Sequence, residues 1–250
     1  MRLIKSLFLL FAFILVLTAC NRPPNLPITP SIQFEAVDFG VINEGDPLFE
    51  NTVLTVSISI EDGDGDLGLS GNEDNYPYHP FAVIVDDQGR PIEYGENPDD
   101  PAFSCIDYAV EAGENTDLNF DGDLLDTILI DFNEDQYNIF VDFFRKVNGV
   151  FEEVDIRAQP PGSANSTTLC GQSFDGRFPC LSNDENPCAY IIDTKRPIKG
   201  IVNYNMESAL FLPIFRTDTM MIQVQVQDRA LHKSNLVETP EFTLQSLQGN

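Results

Sequence analysis

The chain has 250 residues and a formal net charge of −26, because 40 Asp and Glu residues outnumber 14 Lys and Arg residues. So acidic a protein is unsuited to nucleic acid or to anionic lipid head groups, and its charge favours cations or basic partners. The 19 Phe and 7 Tyr residues supply enough apolar surface for a core, which excludes a wholly disordered chain.

The N-terminus has the layout of a secretory signal. Arg2 and Lys5 precede an apolar run at residues 7–17 that is too short for a comfortable membrane span. The following segment, Leu17-Thr18-Ala19-Cys20, resembles the lipobox of bacterial lipoproteins. The resemblance implies removal of residues 1–19 and a lipid anchor on Cys20. The alternative is an ordinary signal peptide followed by a chance cysteine.

Residues 20–30 are rich in proline and predict an extended tether, because proline fixes φ and lacks an amide donor. Asn21 differs from the aspartate that resembles an inner-membrane retention signal, so we expect the outer membrane, on either leaflet. The partners expected are therefore the membrane, through lipid on Cys20, and an envelope protein or glycan. No nucleic-acid partner is expected.

Alternation of apolar and polar residues at 53–60 and 220–227 predicts strands with one buried face. The Asn148-Gly149 pair predicts the turn of a hairpin within residues 137–156, because both residues tolerate positive φ. Weaker strands are predicted at residues 32–37, 81–85, 127–132, 198–204 and 241–244. No convincing helix is predicted.

This pattern indicates an all-β, antiparallel sandwich. Residues 137–154 resemble the central hairpin of fibronectin type III and related immunoglobulin-like domains. Residues 224–235 resemble the last hairpin of bacterial immunoglobulin-like repeats, with Leu231-His232 where those usually have Gly-Asn. The layout also resembles lipoproteins of Bacteroidetes with no established activity. The resemblance implies one immunoglobulin/fibronectin type III-like domain at 31–250, with an acidic insertion at about 61–136 and a disulfide-braced one at about 157–196.

The run from Glu61 to Gly68 is the densest candidate site. Asp62, Asp64 and Asp66 alternate with glycine, which lets the backbone curl until the carboxylates converge. Calcium takes six to eight hard oxygen ligands, so we expect a calcium site here. The alternative is a solvated acidic turn.

A second candidate calcium site comprises Asp117, Asn119, Asp121 and Asp123, and it resembles the first half of an EF-hand loop. Position twelve is Ile128 rather than an acidic residue, and Asp126 would substitute only with altered geometry. Residues 61–135 contain 22 acidic residues and one basic residue, Arg90, so we expect cations to order this insertion.

In an immunoglobulin-like sandwich, the loops after the second strand and before the last strand lie at the same end. The segment from Asp228 to Asn235 is therefore predicted to lie beside the Asp-Gly run. Asp228 would add a ligand there, or Arg229 or Lys233 would pair with surplus carboxylates. A solvated hairpin turn is the third interpretation.

Four cysteines follow the lipidation candidate: Cys105, Cys170, Cys180 and Cys188. An even number in an exported chain predicts two structural disulfides, and three pairings remain open. None lies in a Cys-x-x-Cys pattern, so the spacing does not favour zinc or redox chemistry.

The sequence offers little for catalysis. It has two histidines, His79 and His232, and no nucleophile elbow, phosphate loop or zinc-protease helix. We therefore expect a non-catalytic envelope lipoprotein that is a calcium-stabilised binding or scaffolding module. One alternative is an accessory subunit of an outer-membrane uptake, secretion or motility complex. The other is a glycan-active enzyme using paired carboxylates, with residues 76–81 as a sugar-stacking platform.

Overall fold

The structure of the protein is a computed structural model that describes residues 26–42, 51–95, 98–104, 106–110, 127–154, 173–180, 196–208 and 211–248. In chain order the described elements are β1 (Ser31–Ile42), β2 (Asn51–Asp62), β3 (Phe81–Val83), β4 (Tyr108–Val110), β5 (Thr127–Phe132), a 3₁₀ turn (Glu134–Gln136), β6 (Ile139–Val147), β7 (Val150–Glu153), β8 (Ile198–Ser208), α1 (Phe211–Phe215), β9 (Met220–Val226), β10 (Val237–Glu238) and α2 (Leu244–Leu247).

Two antiparallel sheets carry the larger strands. One has the order β1-β2-β8, and the other has the order β10-β9-β6-β7. β2 pairs along its whole length with β8, from Thr52 opposite Ser208 to Asp62 opposite Ile198. The prediction of a mostly β, antiparallel protein is confirmed.

The inner faces of these sheets share one hydrophobic core. Every second residue of β2 and of β9 is at most 2% exposed, as the period-two pattern predicts: Leu54, Val56, Ile58, Ile60, Met220, Ile222, Val224 and Val226. Each such side chain contributes roughly 1.5–3 kcal/mol by leaving water. The two sheets are therefore held face to face in a sandwich-like arrangement.

The β6–β7 hairpin closes at the predicted turn. Asn148 and Gly149 have φ values of 50° and 85°, and Val147 lies opposite Val150. Positive φ at both central residues matches the right-handed twist of the flanking strands. The turn prediction is confirmed.

Strands between residues 81 and 132 form a third sheet, with the order β3-β5-β4. Beside it the ring of Tyr94 lies 5.0 Å from that of Tyr108 and 5.7 Å from that of Phe103, measured between centroids. Tyr108 is 1% exposed and Ile128 is fully buried. The described part of the segment that was predicted to be an acidic insertion thus has an apolar cluster of its own, and strand β4 was not predicted.

Two short helices also depart from the sequence analysis. Residues 241–244 do not form a strand: only Phe242 bridges to Met220, and helix α2 begins at Leu244. The reason is a capping box in which Thr243 and Ser246 satisfy each other's backbone amides. Helix α1 buries Phe211 and Phe215, which lie four residues apart on one face. In the described part of the chain, no helix has the length and apolarity needed to cross a membrane.

Candidate metal centre

The alternation of buried residues along strand β2 continues to Asp62, an acidic residue at the end of the strand. Leu54, Val56, Ile58 and Ile60 face inward, so a strand period of two turns Asp62 inward as well. Asp62 pairs with Ile198 of β8 and is 0% exposed. A carboxylate therefore occupies the position where the core meets the loop end of the sandwich.

The Asp-Gly loop then brings two more carboxylates back to Asp62. Gly65 adopts a φ of 71°, a conformation that L side chains rarely take. One carboxylate oxygen each from Asp62, Asp64 and Asp66 lies within 4.8 Å of the others. The predicted convergence of these three residues is confirmed, although the convergence alone does not identify a ligand.

The carboxylate of Asp62 is the unusual member of this cluster. Both of its oxygens are buried and neither has a hydrogen-bond partner. Burial, followed by repulsion from Asp64, Asp66 and Asp228, raises its pKa to about 7. The backbone amide of Asp66 lowers this pKa, but by less than burial and the neighbouring acids raise it. The site therefore holds a buried carboxyl group whose oxygens have no hydrogen-bond partner.

A hard divalent cation fits this donor set. Calcium lies about 2.3–2.6 Å from its oxygen ligands, so two oxygens on one ion are at most about 5 Å apart. The three carboxylates meet that limit. They are hard oxygen donors, which suit calcium or magnesium better than zinc or copper. Asp62, Asp64 and Asp66 would supply three ligands, and the remaining positions would go to backbone carbonyls or water.

Glycines in the loop also serve a purpose that the sequence analysis missed. A Cβ atom on Gly63 would collide with the carbonyl oxygen of Leu26, one on Gly65 with the carbonyl oxygen of Arg196, and one on Gly68 with the backbone of Cys180. The backbones of three segments that are distant in sequence from this loop thus pack against its glycines. Glycine spacing within a short acidic run gave no sign of these neighbours.

The loop before the last strand lies beside the Asp-Gly loop, as predicted. The amide of Arg229 donates to the carbonyl oxygen of Asp66 at 3.2 Å, and its guanidinium donates to the carbonyl oxygen of Gly68 at 3.3 Å. The hydroxyl of Tyr78 donates to the carbonyl oxygen of Arg229 at 2.5 Å. These bonds tie the two loops together.

Arg229 and Asp228 have separate roles at this junction. Arg229 forms a two-pronged ion pair with Glu73, and the hydrogen bond from Arg229 is the main reason that the pKa of Glu73 is lowered. The carboxylate of Asp228 accepts a hydrogen bond from the amide of His232 at 2.8 Å and lies 2.9 Å from its Nδ1 atom. Asp228 is therefore engaged by His232, and it acts on Asp62 as a nearby negative charge.

Lys233 was predicted as a further partner for surplus carboxylates. Its ammonium instead lies 4.5 Å from the centroid of the Phe140 ring, in a cation–π contact.

Arg177 is a second residue that the sequence analysis did not identify. Its guanidinium donates to the carbonyl oxygens of Gln136 at 2.5 Å, Ser70 at 3.0 Å and Tyr78 at 2.9 Å. One side chain thus satisfies three loop carbonyls next to the candidate metal centre. A single arginine with no recognisable motif around it carries no pattern that would reveal this role.

Several predicted site residues lie outside the described residues. They are the lipidation candidate Cys20, the second calcium candidate (Asp117, Asn119, Asp121 and Asp123), and the cysteines Cys105, Cys170 and Cys188. Ile128, the expected twelfth position of the second calcium loop, is a buried residue of β5 that pairs with Ala109. That position therefore belongs to the small sheet and supplies no ligand.

Cys180 is the one cysteine within the described residues. It is disulfide-bonded and 4% exposed, and its Sγ lies 3.1 Å from the carbonyl oxygen of Gly68. The three cysteines with which it was predicted to pair are outside the described residues, so the pairing stays open.

The two histidines have separate neighbours. The His79 ring stacks on Tyr76 with centroids 6.1 Å apart, and His232 contacts Asp228.

Comparison of the chain with protein-family models, with curated proteins and with solved structures gave no match.

Proposed function

We propose that this protein is a non-catalytic, lipid-anchored module of the cell envelope that binds or scaffolds a partner, and that one calcium ion holds its Asp-Gly loop. The observation that carries the calcium assignment is the Asp62 carboxylate, which is 0% exposed and whose oxygens have no hydrogen-bond partner. A solvated acidic turn does not account for a carboxylate removed from water. A cation beside Asp64 and Asp66 does, because it replaces the lost hydration with direct coordination.

The strand order supports an immunoglobulin or fibronectin type III relationship. In the immunoglobulin constant arrangement, the first, second and fifth strands share a sheet, and the third, sixth and seventh strands share the other. Here β1, β2 and β8 form one sheet and β6, β9 and β10 lie in the other. On this assignment the acidic insertion lies between the second and third strands. Disulfides would brace the later insertion, where Cys180 is already bonded.

Calorimetric titration of the purified protein with calcium tests the cation assignment. We expect saturable binding by the wild-type protein and greatly weakened binding by Asp62→Asn. Asp131→Asn is the matched control, because Asp131 is an exposed acid on β5 and its change removes the same charge. Binding that is absent from the wild type, or equal in all three proteins, would overturn the calcium assignment.

The anchor is tested separately. We expect a labelled fatty acid to be incorporated into the wild-type protein expressed in bacteria, and we expect Cys20→Ser to abolish both incorporation and recovery in the membrane fraction. Unchanged labelling of Cys20→Ser would exclude lipid on this residue and leave the calcium proposal intact.

A further inference from the structure

The end of the tether lies directly on the candidate metal loop. The amide of Gly63, which stands between Asp62 and Asp64, donates to the carbonyl oxygen of Pro27 at 2.7 Å. A Cβ atom on Gly63 would lie 2.8 Å from that oxygen and closer still to the carbonyl oxygen of Leu26. The backbone of Leu26 and Pro27 therefore contacts the residue that separates two of the proposed calcium ligands in the sequence.

This contact lies close to the anchor. Leu26 is six positions after Cys20, and an extended chain covers about 3.5 Å per residue, so the loop lies at most about 20 Å from the residue proposed to carry the lipid. Strand β1 begins at Ser31, and the amide of Ile32 donates to Asn235 at 3.0 Å. Residues 26–30 precede this hydrogen-bonded strand and contact the loop through Leu26 and Pro27. They are therefore the segment that would be released if this contact were lost.

We infer that calcium at Asp62, Asp64 and Asp66 controls whether residues 26–30 stay docked on the loop. This inference rests on the proposed calcium site. With the ion bound, the three carboxylates converge and the Gly63 amide between them points at Pro27. Without it, the three like charges, reinforced by Asp228, repel one another and the Gly63 amide loses its alignment.

Release would change the reach of the domain from the membrane. Release of residues 26–30 would add five residues to the chain between Cys20 and strand β1 that is not held by the loop, or up to about 17 Å of contour length. Calcium would thus shorten the tether and hold the loop end of the sandwich against the membrane. Removal of calcium would let the domain extend further from it.

Hydrogen exchange by the purified full-length lipoprotein in detergent, with calcium or with a chelator, tests this coupling. The Gly63 amide reports this contact, because it donates to Pro27, whereas Pro27 and Pro30 have no amide hydrogen. In the wild type we expect calcium to slow exchange of the Gly63 amide, in peptides covering residues 61–66, by about tenfold or more. Gly63→Ala keeps all three carboxylates but places a methyl group against Leu26, so it should bind calcium while the amide at position 63 still exchanges fast. Gly71→Ala is the matched control, because a Cβ there meets nothing within 4 Å.

The outcomes separate the inference from the proposal beneath it. If the wild type binds no calcium by calorimetry, the proposed site fails. If it binds calcium while exchange of the Gly63 amide stays unchanged, the site stands and the coupling is wrong. This decision needs the wild type alone, so it holds even where Gly63→Ala fails to fold.

Discussion

Replacing Asp62 by asparagine gives the sharpest test of what the buried carboxylate does. In the cation-free protein, burial and three neighbouring acids raise the pKa of Asp62 from 3.8 to about 7. One pKa unit corresponds to about 1.36 kcal/mol, so ionised Asp62 costs roughly 4 kcal/mol of stability above pH 7. A buried amide without partners costs about 1–3 kcal/mol. Without calcium at pH 8, we therefore expect Asp62→Asn to be more stable than the wild type by about 2 kcal/mol.

Calcium should reduce or reverse the difference in stability between Asp62→Asn and the wild type. An ion that binds only the folded protein adds about 2.7 kcal/mol at one hundred times its dissociation constant, and Asp62→Asn should gain little of this. Urea unfolding followed by circular dichroism, with and without calcium, measures both effects. The exposed Asp131→Asn variant controls for loss of one charge. An Asp62→Asn protein that is less stable than the wild type without calcium, and responds to calcium equally, would show that Asp62 is a structural acid.

Three further predictions follow from the same structure. Because the pKa of Asp62 is raised, the folded protein holds more protons than the unfolded chain between about pH 4 and pH 7. The wild type in chelator should therefore lose stability as the pH rises through this window. Calcium should reduce this pH dependence of the melting temperature. The pKa of Glu73 is lowered, so its pairing with Arg229 stabilises the fold at pH values above the ordinary pKa of glutamate, and this stabilisation is lost as the pH falls below that pKa. Glu73→Gln should cost about 2 kcal/mol in urea unfolding at pH 7, and it should lose less stability than the wild type on acidification. Phe215→Ala, which empties a fully buried site, should cost about 3–5 kcal/mol by urea unfolding, whereas Leu212→Ala on the exposed face of α1 should change stability little; equal effects would contradict the burial of this helix.

Local patterns predicted the elements in which one physical rule dominates. Strands β2 and β9 alternate apolar and polar residues because one face of each packs against the core, and the Asn148-Gly149 turn depends on φ alone. Where two rules compete, the secondary structure predicted from the sequence was wrong. Residues 241–244 have the composition of a strand, but the Thr243 and Ser246 capping pair starts a helix at Leu244.

The candidate metal centre was predictable only in part. The convergence of Asp62, Asp64 and Asp66 follows from their spacing. The position of the neighbouring loop agrees with the expectation drawn from the resemblance to immunoglobulin-like domains. The burial of Asp62 follows from the period of β2, but only once the strand is known to extend to that residue. The roles of Arg177 and of Gly63 depend on segments more than thirty residues away, and no local pattern contains that information.

A proton and a cation are alternative ways of neutralising the same buried carboxylate. Protonation removes the charge of Asp62 alone, whereas one divalent ion would neutralise charge on all three carboxylates and hold them together. Low pH and calcium should therefore both stabilise the folded protein, but only calcium should order the loop that carries the three carboxylates. Because Gly63, Gly65 and Gly68 each support the backbone of a different segment, ordering that one loop would fix the tether, the start of β8 and the disulfide-bonded Cys180 together.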